Sequence, residues 1–160
     1  MSDASRKGRV VGVCLSHHRQ APKKNIGQGM LKEGWGLEGD SHAGTERQVS
    51  LLASEDISKA CKKRSIKALP GAFAENITTR DIDMTRTAVG QRIRVGNATL
   101  QVVAVGKDPS EPHTYAYCGI SLLPKKGIFT RVVTGGSVSV GDSIEVISLS
   151  KRKKRSREIP

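Results

Sequence analysis

From residue 89 onward this 160-residue chain is cut into short β-branched runs by glycines, and no other feature restricts its fold as strongly. Residues 89–95 (V-G-Q-R-I-R-V), a Gly96-Asn97 turn and residues 99–105 (T-L-Q-V-V-A-V) have the pattern of a hairpin. Residues 128–133 and 143–147 add two strands around Gly135-Gly136. The segments 89–95 and 140–146 also share the pattern V-G-[Q/D]-x-I-x-V. In each, a turn-forming glycine leads into a strand with apolar residues on alternate positions, which suits strands entering one small barrel.

The first half is more mixed. Residues 9–15 (R-V-V-G-V-C-L) read as a first strand, with Cys14 a small buried residue in it. His17 and His18 follow, and adjacent side chains on an extended chain point to opposite sides, which disfavours joint ligation of one metal. Residues 20–36 carry Pro22 and four glycines with little periodicity, the mark of a long connection or irregular strands. Residues 48–52 resume a strand. A helix then starts at Ser54 as a serine cap, with Glu55 and Asp56 in its first turn and Lys62, Lys63 and Arg64 in its last. Ile57, Ala60 and Cys61 fall on one stripe of that helix, so Cys61 is expected to be structural. Leu69-Pro70-Gly71 breaks the helix, and residues 72–79 (A-F-A-E-N-I-T-T) bring Glu75 and Asn76 into a short extended segment.

Residues 36–52 (G-L-E-G-D-S-H-A-G-T-E-R-Q-V-S-L-L) form the densest polar stretch, with Glu38, Asp40, His42, Glu46 and Arg47 set between Gly36, Gly39 and Gly44. Glycine-spaced polar chemistry leading into a strand is expected of a site loop. The three cysteines, Cys14, Cys61 and Cys118, are odd in number with no close pair, which argues against a disulfide framework and for free thiols in a reducing cytoplasm. No apolar run approaches the roughly 18–20 residues that span a bilayer, and the first nine residues lack a secretory apolar core, so a cytoplasmic protein without membrane contact is expected. Of the net charge of +12, residues 151–157 hold six positive charges; setting these aside and restoring the negative charge of Glu158 leaves +7 on residues 1–150. Three segments are expected: a flexible N-terminus at 1–8, one domain at 9–149, and a basic, disordered tail at 150–160 open to weak polyanion or nucleic-acid contact.

The motifs G-L-E-G-D-S-H-A-G, R-Q-V-S-L-L, P-G-A-F-A-E-N-I-T-T and G-I-F-T-R-V-V-T-G-G-S-V-S-V-G-D, in that order over residues 8–149, resemble a stand-alone MOSC domain, the family named for the C-terminal domain of molybdenum cofactor sulfurases. The resemblance implies a mostly β fold, a small closed or partly open barrel with one or a few short helices. It also implies a sulfur-carrying or molybdenum-cofactor-binding role in metal–sulfur cofactor maturation, through a persulfide on a cysteine. Family members commonly place a cysteine directly after a proline where this chain has Pro112-His113. Either Cys118, five positions further on, takes over that role, or the sulfur-carrying activity is altered or lost.

A sulfur carrier needs an accessible thiolate stabilised by nearby cations or donors. Cys118 is the candidate, since it lies in a polar, aromatic connection whereas Cys14 and Cys61 lie in apolar patterns. A filler thiol is the competing reading. Arg47 offers a forked, permanent charge for the phosphate of a molybdopterin, with Lys23 and Lys24 weaker candidates. Asp40 and His42 orient a ligand, move a proton or tune the thiol, or else fasten the loop through hydrogen bonds. Glu75, Asn76 and His113 complete the candidate ligand-binding set, with backbone bracing as the other reading of Asn76. The chain contains no pyridoxal-phosphate region, so a cysteine desulfurase or other donor protein must supply the sulfur, and a molybdoenzyme or cofactor-synthesis protein accept it. Three competitors remain: a metal site from Asp40, His42, Glu46, His113 and Cys118, which lacks a familiar spacing; a nucleic-acid module, which has charge but only five aromatic residues and no recognition motif; and, as the resemblance to redox-linked MOSC proteins allows, a protein that detoxifies or reduces modified bases or N-hydroxylated compounds.

Overall fold

The computed structural model describes residues 6–84, 86–107 and 115–147. In chain order the strands are β1 (Lys7–Leu15), β2 (Lys24–Asn25), β3 (Gln28–Lys32), β4 (Gly36–Leu37) and β5 (Val49–Ala53), followed by the helix α1 (Ser54–Lys62). Then come β6 (Ile77–Arg80), β7 (Arg92–Val95), β8 (Ala98–Val105), the one-turn α2 (Leu123–Lys126), β9 (Ile128–Thr134), β10 (Gly136–Ser139) and β11 (Ser143–Ile147).

Seven of these strands close a barrel in the order β1-β6-β5-β9-β8-β7-β11, and β11 returns to β1 through the pairs Lys7↔Glu145, Gly8↔Ile144 and Arg9↔Ser143. Closure removes the free edges that an open sheet of this size would expose. β5 and β6 run parallel, and α1 lies in the crossover between them. β2 extends the sheet beyond β1, while β10, β3 and β4 make a second, three-stranded sheet. Leu31, Leu37 and Val138 from that small sheet join the barrel core.

The expected hairpin forms as β7 and β8, with Val95 opposite Ala98 across Gly96-Asn97. Its first strand starts later than the apolar pattern indicates, at Arg92, because Gly90 adopts φ +94° and residues 89–90 form a turn. The two copies of V-G-[Q/D]-x-I-x-V are barrel neighbours: β7 and β11 pair with Ile93 opposite Val146 and Val95 opposite Ile144, all four buried. β-period alternation therefore carries directly into the core, where Ala98, Leu100 and Val102 of β8 also point inward.

α1 departs from its expected start. Ser54 is the first helical residue and makes no cap; Ala53 occupies the N-cap position in an extended conformation without a side-chain hydrogen bond. The reason is that Ala53 still pairs with Thr79 as the last residue of β5, leaving no intervening residue to cap the helix. Ile57 and Cys61 are buried as the stripe requires, in a second core cluster with Leu52, Ala72, Phe73 and Leu122. The irregular 20–36 segment resolves into the short strands β2, β3 and the start of β4.

Candidate functional site

Loop and strand residues of the barrel converge on a cleft of about 220 Å³ beside β5 and β9. Arg19 and Gln20 come from the β1–β2 loop, His42 and Arg47 from the polar loop between β4 and β5, and Lys107 from the residues just after β8. Tyr115 lies ahead of α2, Leu123 and Pro124 belong to α2, and Phe129 rises from β9. Three permanent cations and a histidine thus face one space, with no carboxylate among the described residues that line it. The guanidinium of Arg47 stands 5.1 Å from the centre of the Phe129 ring and the ammonium of Lys107 5.4 Å from it, so both cations rest against an aromatic face. An anion entering here meets converging positive charge over an apolar floor.

The polar loop is held from beneath by Asp40. Its Oδ1 accepts hydrogen bonds from Lys23 Nζ at 2.7 Å and from the Ser16 amide at 3.1 Å, and its Oδ2 accepts the His42 amide at 3.0 Å. The Lys23–Asp40 pair is sealed from solvent, with side chains 1% and 0% exposed. Burial by itself would raise the Asp40 carboxyl, but the proximity of His42, the Lys23 hydrogen bond and the Lys23 charge outweigh it, holding the group well below the usual carboxylate range. Thr45 then ties the two cleft residues together: its hydroxyl donates to the His42 carbonyl at 2.7 Å and accepts the Arg47 amide at 3.2 Å. His42 and Arg47 are therefore presented by a braced loop, as preorganised ligand contacts require.

The other expected site residues are distributed differently. Asp40 lies under the loop and not in the cleft wall. Glu75 and Asn76 are buried at the entrance to β6 and contribute nothing to the cleft lining. Glu75 accepts hydrogen bonds from the Gly71 and Phe73 amides and the Thr78 hydroxyl at 2.8, 3.2 and 2.6 Å, and burial raises its carboxyl despite them. Asn76 accepts the Ser50 amide at 3.0 Å and donates to the Cys14 carbonyl at 3.0 Å, joining β1 to β5. Of the two lysines, Lys23 is buried and Lys24 is exposed on β2; neither lines the cleft. His113 lies outside the described residues.

Cys118 also lies outside the cleft lining, in an exposed turn closed by Tyr117 and Ile120, although Tyr115 on the same segment does line it. Cys118 adopts φ +50°, and Arg64 Nη1 donates to its carbonyl at 3.4 Å. The two other thiols are buried: burial, then the charge of Glu75, pushes Cys14 up to about 12, and burial raises Cys61. Among the described residues, no three His, Cys, Asp or Glu side chains group to hold a metal ion. Likewise, no helix among them is long and apolar enough to cross a membrane.

Sequence reasoning missed Arg19, Gln20, Lys107 and Tyr115. The available signal was position: Arg19 and Lys107 each follow closely on the end of a barrel strand, where loops gather.

The barrel is that of a MOSC domain: the family model of that domain matches residues 38–145, and the chain belongs to the family. Among solved structures the chain is similar to the YuaD protein of Bacillus subtilis, with a TM-score of 0.69 and 21% identity over 88% of this chain and 95% of that one. It is likewise similar to YiiM from Escherichia coli, with a TM-score of 0.63 and 22% identity over 89% and 70% of the two chains. For YiiM from Geobacillus stearothermophilus the TM-score is 0.61 and the identity 18%, over 88% and 73%. At these identities the likeness is one of fold. No curated protein sequence matches the chain.

Proposed function

We propose that this MOSC-domain protein binds a phosphate-bearing ligand of the molybdopterin class through the cleft lined by Arg19, Arg47 and Lys107. The observation that carries the reading is the convergence of Arg19, Arg47, Lys107 and His42 over Phe129 with no carboxylate among the described lining residues. Arginine supplies paired donors to phosphate oxygens, and lysine adds a compact charge. The family's association with the molybdenum cofactor supports a pterin as the body of the ligand. A space of about 220 Å³ is smaller than the roughly 300–1,000 Å³ of pockets that enclose a whole small ligand, so the cleft holds the anionic arm and the ring system extends past it.

Native mass spectrometry of the full chain mixed with molybdopterin tests this directly, with inorganic phosphate as competitor. A one-to-one complex displaced by phosphate is expected. In Arg47→Ala the loss of a charge-assisted contact should cost about 1.5–3 kcal/mol, a drop in affinity of at least about tenfold. Unchanged affinity in that variant removes the cleft as the binding site.

Sulfur carriage in this reading belongs to Cys118, because it is the exposed thiol of the three. A separate cysteine desulfurase would be the donor, and a molybdoenzyme or cofactor-synthesis protein the acceptor. Incubation with a desulfurase and cysteine should add one sulfur atom to the intact protein, and Cys118→Ser should abolish the gain. A persulfide that survives in Cys118→Ser excludes this assignment. The competing nucleic-acid reading predicts salt-sensitive RNA binding that persists after residues 151–160 are removed.

A further inference from the structure

The buried Lys23 does not line the cleft, whose described lining already carries three cationic side chains. What distinguishes Lys23 is where its ammonium points. Nζ donates to Asp40 Oδ1 at 2.7 Å and also stands 3.4 Å from His42 Nδ1. An ammonium has hydrogens to give and no lone pair, so the contact is favourable only when Nδ1 is the bare, accepting nitrogen. The Ser41 hydroxyl, 3.4 Å from the same atom, can donate as well. One group favours the opposite arrangement: Asp40 Oδ2 lies 3.7 Å from Nδ1 and would attract a proton there. That oxygen is beyond hydrogen-bond range and already accepts the His42 amide at 3.0 Å. The charged side chains that line the cleft with His42 among the described residues, Arg19, Arg47 and Lys107, are cations.

We infer that Lys23 is a positioning residue that holds His42 as the neutral tautomer protonated on Nε2, so that the cleft meets its ligand with an imidazole N–H donor. His42 lines the cleft, and with Nδ1 turned toward buried Lys23 the other ring nitrogen is the one left to reach it. The inference rests on the anion-binding reading for its purpose, and it specifies the chemistry of that site. His42 joins the two arginines and Lys107 as a fourth donor and does not act as a general base through Nε2. Buried Asp40 is in turn the ion-pair partner of Lys23 inside the fold.

Long-range proton–nitrogen correlation of the imidazole rings in the labelled full chain reads the tautomer, with the His42 signals identified by their loss in His42→Gln. At neutral pH the expected pattern is a protonated Nε2 and a bare Nδ1. In Lys23→Met the His42 pattern should shift toward a proton on Nδ1 facing Asp40 or toward the imidazolium. A wild-type ring protonated on Nδ1 overturns the inference, and so does a folded Lys23→Met protein with the wild-type pattern. Should Lys23→Met fail to fold, the wild-type pattern decides alone. Titration with inorganic phosphate separates the two readings. Absence of binding with Nε2 protonated overturns the anion site and leaves the tautomer standing, whereas binding to a ring protonated on Nδ1 overturns the tautomer alone.

Discussion

Asp40 illustrates at the residue scale how a site signature can be structural and still serve the site. It lies in the densest polar stretch of the chain, yet its carboxylate is fully covered and spends its hydrogen bonds on Lys23, Ser16 and His42. Removing it in Asp40→Ala strands a buried ammonium, and breaking such a pair on one side costs about 3–5 kcal/mol. Chemical denaturation at neutral pH should register that loss, and an unaltered unfolding midpoint would show the pair to be inconsequential. The pH dependence follows from the sign of the shift. Asp40 is depressed in the folded state, so its stabilisation is complete above the ordinary aspartate value of about 3.9 and declines as pH falls below it, where the unfolded chain binds the proton first. Wild-type stability should therefore fall more steeply below about pH 4 than that of Asp40→Ala.

Among the elements, the connection from α1 to β6 does the most to fix the site from behind. Gly71 accepts the Lys23 amide through its carbonyl at 2.8 Å, and Glu75 gathers the Gly71 and Phe73 amides into the same turn. Gly71 sits at φ +93°, and a methyl group on it would collide with the Lys23 carbonyl oxygen. Gly71→Ala therefore meets both an unfavourable backbone conformation and a backbone clash, whereas Gly27→Ala, at φ +80° with nothing within 4 Å, meets only the first. Thermal unfolding should show Gly71→Ala destabilised by more than about 1 kcal/mol and clearly beyond Gly27→Ala. Equal losses would mean that the close approach to Lys23 is easily relieved.

For the whole molecule, the decisive event is the meeting of β1 and β11, which brings residues 7–9 against 143–145 and completes the ring. The cleft loops meet elsewhere in the ring, through the β5–β9 pairing that sets Ser50 opposite Phe129. The net charge of +12 acts at this scale too, but unevenly, because residues 151–157 contribute six positive charges. Deleting residues 151–160 should flatten the salt dependence of RNA or heparin binding, while displacement of molybdopterin by phosphate stays as in the full chain. Loss of both together would place the anion site in the tail.

The sequence by itself determined the class of fold, because alternation and glycine turns are local properties: β7, β8, β9 and β11 stand close to where their patterns put them, and the paired V-G-[Q/D]-x-I-x-V segments became adjacent strands. It also marked the β4–β5 loop through its density of polar groups between glycines. What it could not contain was the sorting of those groups. His42 and Arg47 face the cleft, Asp40 lies beneath it, and Glu75 and Asn76 brace the barrel. Arg19, Lys107 and Tyr115 join the site from separate connections. Side-chain period along one strand is set by neighbouring peptide geometry, whereas which loops meet depends on pairings between strands distant in sequence, such as Val49 of β5 with Thr130 of β9, and only the tertiary structure decides that.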